Sequence, residues 1–408
     1  MEKLPEYDTI IIGAGPAGLF AAACINRGRT LILEKKEKPG RKLMISGSGQ
    51  CNFTNSGPVS GFSTHYGNNY GFMKPALETF TNHHAVNWFE KRGIKTITDK
   101  NGKIFPASLK ASDILNTLLK AASEQNARLM TGLAVQSARV EGGMFLVETA
   151  DRRFTSVNLI LGTGGLSYPS TGSTGDGYSF AKSLGHSIVS PKPALTPVFI
   201  KGFEYDDLAG VSLKNAQIML FRDKREIGSH PGDIVFTHKG LSGPGILDFS
   251  RFFEAGDTLK INLCNLQPQE FERQFTEAAS ENGKTLLSTF LRNAGLTRSL
   301  LRIVAEKSGV NPEKPLAEIS KQARKALTEQ ACSHSFIIEK TAGYKTAMAT
   351  AGGVSLTEVD PLTMESKLVE NLYFAGEILD IDGDTGGYNI QAAFSTAWMA
   401  AQAINRKQ

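Results

Sequence analysis

Cysteine and tryptophan are scarce in this sequence, with four of the first and two of the second in 408 residues. Cys24, Cys51, Cys264 and Cys332 stand far apart without a CxxC pair, so the spacing signatures of a zinc site and of a disulfide framework are both absent. A reducing cytoplasm is the expected compartment. An apolar run able to span a bilayer is also lacking. Residues 9–26 carry no charged side chain, but Gly13, Gly15, Pro16 and Gly18 break the run near its start. No basic leader with a small-residue cleavage pattern comes before it, and no membrane association is expected. Internal repeats and low-complexity tracts are missing too, which excludes solenoid and disordered architectures.

The composition is that of an ordinary globular protein, 41% apolar and 21% charged. Its length exceeds what one core usually supports, so two or three domains are expected. A net charge of +5 suits an anionic partner without requiring one.

Residues 8–12, DTIII, form a β-branched run, followed by GAGPAG, the helix-forming LFAAACINRG and a second strand, TLILE. In this strand, turn, helix, strand order, Gly13 permits the tight turn, Gly15 admits a pyrophosphate and Gly18 lets helix and strand pack closely. The helix N-terminus then offers free N–H groups to phosphates, with Ala17 in its first turn. Glu34 ends the second strand, where an acid accepts hydrogen bonds from ribose hydroxyls. These residues specify a dinucleotide but leave NAD and FAD open.

Two further glycine clusters narrow the choice. Beyond Glu34 and Lys35 the chain runs KKEKPGRKLMISGSGQCNFTN, too polar for a core element and too long for an idle loop. Arg41 and Lys42 can meet a pyrophosphate there, Ser46, Gly47 and Gly49 offer backbone N–H groups, and Asn52 closes the segment. GTGGLSYPSTGSTGDGY follows the strand VNLILG and contributes Thr163, Gly164, Gly165 and Asp176. FAGEILDIDGDTGGYNIQ follows the strand NLYF and contributes Gly376, Glu377, Gly387, Asn389, Ile390 and Gln391. Ligands collect at the carboxyl ends of strands in open α/β folds, so three such clusters point to one extended ligand. FAD is long enough; a mononucleotide is not.

The clusters resemble those of the glutathione-reductase-like flavoproteins. More narrowly, GRKLMISGSGQCNFTN, TGGLSYPSTGSTGDGY, FTHKGLSGP, TAGGVSLTEVDPLTMESK and LYFAGEILDIDGDTGGYNIQAA together resemble the BaiN/RdsA-type family of FAD- and NAD(P)-dependent oxidoreductases. The resemblance spans nearly the whole chain. It implies a Rossmann-type FAD domain, a C-terminal helix aimed at the flavin, Val135 at the adenine, and His238 on a β-domain strand end facing the cofactor. It also implies NAD(P)H as a transient electron donor, because only one dinucleotide fingerprint is present. The family loop usually reads SGGGRCN or SGGGKCN; Ser48 and Gln50 here replace a glycine and a cation. Reactions implied are dihydrouridine formation in large-subunit ribosomal RNA, reduction of steroid-type enones, and oxidation of aminoacetone.

The expected architecture is α/β: a discontinuous FAD-binding domain (1–190 and 354–408) with an inserted antiparallel β-domain (191–266, returning at 331–353) that carries a helical insertion (267–330). That insertion has ten basic and eight acidic residues, including Arg292, Arg298, Arg302, Lys321, Arg324 and Lys325. Its cations are expected either as a solvated face or as phosphate contacts. A helix opened by Ser112 and Asp113 and a polar hairpin over 95–108 are expected in the first domain, with His83 and His84 as surface or interhelical residues.

Reduction of a conjugated double bond needs hydride at one carbon and a proton at its neighbour. Cys51 and His238 are the candidate acids, with Tyr344 and Lys345 behind them. Phe53, Phe62, Tyr66 and Tyr70 are candidates to stack an extruded base. A small-molecule flavoenzyme and a non-catalytic flavin redox sensor are the alternative readings.

Overall fold

The computed structural model of the chain describes residues 5–407 apart from Asn265. Two compact units result, one from the chain up to Ala194 and again from Tyr344, the other from Leu195–Gly343.

In the first unit the β-branched run becomes the strand Tyr7–Ile12. It is buried between the parallel strands Thr30–Leu33 and Arg153–Leu161, with Ile11 opposite both Ile32 and Ile160. Strands buried on both faces read as continuous apolar runs, as this one does. Arg128–Met130 and Leu372–Phe374 extend the parallel part of the sheet. Met144–Thr149 and Val135–Glu141 add antiparallel strands on the first half of Arg153–Leu161. The helix Pro16–Cys24 has proline in its first turn, every later residue buried, and its end marked by Ile25 N–H donating to Ala21 O. It packs against the C-terminal helix Tyr388–Lys407. Phe20 meets Phe80, Trp88 and Phe394 there at ring separations of 4.9–5.1 Å.

The polar hairpin forms from Thr96–Thr98 and Lys103–Pro106, and the short strand Thr54–Asn55 joins its edge. Thr81 and His84 cap the helix Asn82–Glu90 reciprocally: Thr81 Oγ1 accepts from His84 N at 3.2 Å, and His84 Nδ1 accepts from Thr81 N at 3.1 Å. His84 is therefore a capping residue. The helix expected to open at Ser112 starts at Ala111, with Lys110 at the cap position and no side-chain cap.

The second unit contains a closed antiparallel barrel of six strands: Val198–Ile200, Gly240–Ser242, Arg225–Phe236, Ser212–Arg222, Thr258–Ile261 and His334–Thr341. Helices Pro268–Glu281, Leu287–Asn293, Arg298–Lys307 and Lys321–Cys332 lie between its last two strands, and their Phe271, Phe275, Phe290 and Leu300 share a core with the barrel. Cys264 and Cys332, at the two ends of this helical segment, approach to 3.6 Å as buried thiols. Residues 344–353, expected with the β-domain, belong instead to the first unit, because Ala349–Val354 pairs with Ile188–Ala194. Among the described residues no helix is long and apolar enough to cross a membrane.

Candidate cofactor and active site

The three glycines of GAGPAG serve different ends. A Cβ at Gly13, where φ is +106°, would fall 2.5 Å from Gly162 O, and one at Gly18 would fall 1.9 Å from Gly13 O. Those two positions are closed by the backbone itself. A Cβ at Gly15 would meet nothing within 4 Å. The open space at Gly15 adjoins a helix N-terminus that no side chain caps, an arrangement suited to a pyrophosphate. Gly162 N–H donates to Ile12 O at 2.9 Å, setting Thr163 and the second glycine cluster beside the first.

The Glu34 carboxylate is fixed by two backbone donors, Ala14 N at 2.9 Å and Lys36 N at 2.8 Å. Each oxygen keeps a further lone pair for a ribose hydroxyl. Leu133 N–H donates to Glu34 O, which brings the half-buried Val135 alongside. Glu34 and Val135, expected at the ribose and the adenine, thus lie beside one strand end.

Four residues expected to contact the cofactor separately are instead paired with one another. Lys35 Nζ lies 2.5 Å from Asp176 and Lys42 Nζ lies 2.5 Å from Glu377. Lys42 also donates to Ser167 Oγ, and Glu377 Oε1 accepts from Ser167 Oγ and Thr350 N, both at 2.8 Å. Charges that are partly removed from water need such partners, and here the pairs tie the long loop to the second and third glycine clusters. Arg41 stays exposed.

The loop SGSGQCN turns sharply, with Gly47, Ser48 and Cys51 all at φ between 54° and 61°. Cys51 corrects the expectation of an acid lining the site. Its side chain is wholly buried, and burial, opposed by a hydrogen bond from Ser46, pushes its thiol up to about 12. It belongs to the apolar core of the first unit. Asn52 Oδ1 is buried and has no hydrogen-bond partner among the described residues, so the loop presents an acceptor that a flavin N–H can satisfy. The open face of Gly15, the lone pairs of Glu34 and this acceptor fit FAD.

At the C-terminal cluster, a Cβ on Gly376 would fall 2.9 Å from the Ala17 methyl, and one on Gly387 would fall 2.5 Å from Thr54 O. The helix Tyr388–Lys407 starts there. Asn389 and Gln391, expected as flavin contacts, spend their amides within the protein. Asn389 exchanges two 2.8 Å bonds with the backbone of Gly383. Gln391, fully buried, accepts from Thr54 Oγ1 at 2.6 Å and donates to Phe80 O and Ser395 Oγ at 3.0 Å. Both shape the turn, and Gly387 and the half-buried Ile390 remain on it.

Sequence reasoning missed His65. Its Nδ1 lies 3.0 Å from Asp384 Oδ2, and its ring stacks on Tyr388 at 4.0 Å with an 18° interplanar angle. The partner residue is 319 positions away, so no local pattern could reveal the pair. Phe53, Phe62 and Tyr66 are fully buried, because their rings fill the core under this segment, and of the proposed stacking aromatics only Tyr70 is partly exposed. Tyr344 accepts from Tyr168 N–H through its carbonyl, burial raises its phenol, and Lys345 is exposed.

In the second unit, His238 lies exposed in the turn between Arg225–Phe236 and Gly240–Ser242. Of the six cations singled out in the helical segment, Arg302 pairs with Asp207 and Arg324 with Glu272, whereas Arg292, Arg298, Lys321 and Lys325 are exposed.

The family described as the HI0933-like protein Rossmann domain matches residues 7–403. The chain belongs to this family. Membership makes it an FAD-dependent oxidoreductase with a Rossmann-type cofactor domain. It is similar to a ribosomal RNA dihydrouridine synthase of Haemophilus influenzae, 32% identical over 98% of this chain and 99% of the relative. An Escherichia coli protein of the same name is 31% identical over 98% of each chain. A 3-dehydro-bile acid delta(4,6)-reductase of Clostridium scindens is 29% identical over 96% of this chain and 98% of its own. Among solved structures, the FrdA chain of Escherichia coli quinol fumarate reductase shares the fold at a TM-score of 0.51 and 14% identity, over 98% of this chain and 70% of that one.

Proposed function

We propose that this cytoplasmic protein reduces the C5=C6 bond of a uridine in large-subunit ribosomal RNA, drawing electrons from NADH or NADPH. The observation that carries this reading is the end-to-end similarity to two relatives named for ribosomal RNA dihydrouridine synthesis. Bound at the glycine clusters, FAD supplies the hydride for the double bond. Gly15 and the Pro16–Cys24 N-terminus hold its pyrophosphate, Glu34 its ribose, Val135 its adenine, and the Ser46–Asn52 loop with Gly387 and Ile390 its ring system. Thr163 and Gly164 line the cofactor, and Gly165 and Gly376 let neighbouring segments pack closely, while the Lys35–Asp176 and Lys42–Glu377 pairs hold the converging segments in register. The N-terminus of Tyr388–Lys407 would stabilise negative charge on the reduced ring. Arg292, Arg298, Lys321 and Lys325 contribute phosphate contacts.

A small-molecule enone reductase is the second reading, favoured by the similarity to the bile-acid reductase. Uracil and steroid enones share an electron-poor double bond conjugated to a carbonyl, so one site chemistry serves both. Anaerobic stopped-flow mixing with NADH and NADPH tests the reductase reading. Bleaching of the bound flavin within seconds is expected; no bleaching by either donor overturns it and favours a redox sensor.

A further inference from the structure

We infer that His65 is the proton donor of this site and that Asp384 positions it, an inference that rests on the reductase reading above. The reaction leaves an enolate after hydride reaches one carbon of the conjugated bond, and its other carbon must then take a proton. Cys51 is wholly buried in the core of the first unit and presents no thiol to a substrate. His65, in contrast, is a third exposed at its side chain and joined to the turn that starts the C-terminal helix.

Two contacts fix the imidazole, and four more hold the segment that carries it. Asp384 Oδ2 accepts at Nδ1 at 3.0 Å, and Asp384 N–H returns a bond of 3.0 Å to the His65 carbonyl. The Tyr388 ring lies flat against the imidazole, and Phe62 meets Tyr388 edge-on from the core at 5.0 Å. Tyr66 and Asn69, on the same segment, bond to the carbonyls of Tyr388 and Asp380 at 2.8 and 2.6 Å. The segment carrying His65 is therefore clamped to residues 380–388, immediately before the helix Tyr388–Lys407. With Nδ1 committed to the carboxylate, Nε2 is the nitrogen left to exchange protons, and no side chain among the described residues bonds to it. A histidine whose one nitrogen is held by a carboxylate presents the other in a defined tautomer and direction.

In the proposed step, the Nε2–H bond breaks, a C–H bond forms at the enolate carbon, and the neutral imidazole regains its proton from water. The groups facing His65 are the Asp384 carboxylate and the Tyr388 ring, with the Tyr66 phenol bonded to the Tyr388 carbonyl behind it.

The test combines chemistry with a spectroscopic readout. His65→Asn keeps a donor at the position of Nδ1 and removes Nε2, so the bond to Asp384 and the fold are expected to survive. With flavin reduced beforehand by dithionite, single-turnover dihydrouridine formation on ribosomal RNA from a strain lacking the protein should fall about 100-fold. The rate of flavin reduction by NADPH should stay within about twofold. Nitrogen-15 NMR of the protein should show the neutral His65 ring protonated at Nδ1, and Asp384→Asn should abolish that preference while slowing turnover by a smaller factor. Turnover by His65→Asn at the wild-type rate, or a neutral ring protonated at Nε2 in the wild type, overturns the assignment alone. No turnover by the wild-type protein on this RNA or on 4-androstene-3,17-dione overturns the underlying reading, and the donor with it.

Discussion

Lys42 and Glu377, 335 residues apart in the chain, meet at 2.5 Å with about one fifth of each side chain exposed. The contact closes the long loop onto the C-terminal cluster, and both charges depend on it. Lys42→Met should cost about 1–3 kcal/mol in urea unfolding, because the Glu377 carboxylate is left with only Ser167 and Thr350 as donors. Adding Glu377→Gln to that variant should recover part of the loss. Equal stability of Lys42→Met and wild type would show that the pair contributes nothing.

Gly15 and Gly18 offer a sharper contrast. Gly15→Ala adds a methyl into open space, so the apoprotein should keep its thermal midpoint within a few degrees while FAD affinity falls by about tenfold or more. Gly18→Ala drives a methyl to within 1.9 Å of a backbone oxygen and should destabilise the apoprotein itself. Apoprotein melting and flavin titration on the two variants separate these outcomes.

Stability in acid should report on His334 in the second unit. Buried and paired through Nε2 with the Tyr205 hydroxyl at 2.9 Å, it is lowered from an ordinary 6.5 to about 4, chiefly by burial. The unfolded chain therefore binds the proton more readily between these values. The contribution is fully present above pH 6.5 and is lost as pH falls toward 4, on the order of 3 kcal/mol in all, about 2 kcal/mol of it by pH 5. Urea unfolding at pH 7.5 and 5 should show this loss in the wild type and a smaller one in His334→Gln.

Cys51 titrates in the opposite sense. Its folded value near 12 exceeds the ordinary 9.0, so its stabilising effect is complete below pH 9 and declines as pH rises toward 12. At pH 8 the thiol should resist iodoacetamide in the native protein and react at once after unfolding; rapid native alkylation would show that the loop opens.

The parts of this site that were legible in the sequence are those that backbone geometry dictates locally. Gly13, Gly15, Gly18 and Glu34 lie within one strand-turn-helix-strand unit, and their spacing carries their roles. Lys35, Asp176, Lys42 and Glu377 were visible as charged residues near glycine clusters, but their mutual pairing depends on tertiary closure over 141 and 335 residues. The same holds for His65, whose carboxylate partner comes from the far end of the chain, and for Cys264 with Cys332. Phe53, Phe62 and Tyr66 looked available for stacking because their neighbours are polar, yet the short strand Thr54–Asn55 and the segment 59–70 turn these rings inward. The late return to the first unit was missed because Ala349–Val354 is glycine-rich and its strand partner lies before the insertion.

Mass mapping of large-subunit ribosomal RNA from a strain lacking this protein tests the proposed reduction most directly. One uridine should be lighter by two hydrogens than in the parent strain, and the wild-type gene but not the Gly15→Val variant should restore it. Ribosomal RNA with its full dihydrouridine content in the deletion strain would contradict it.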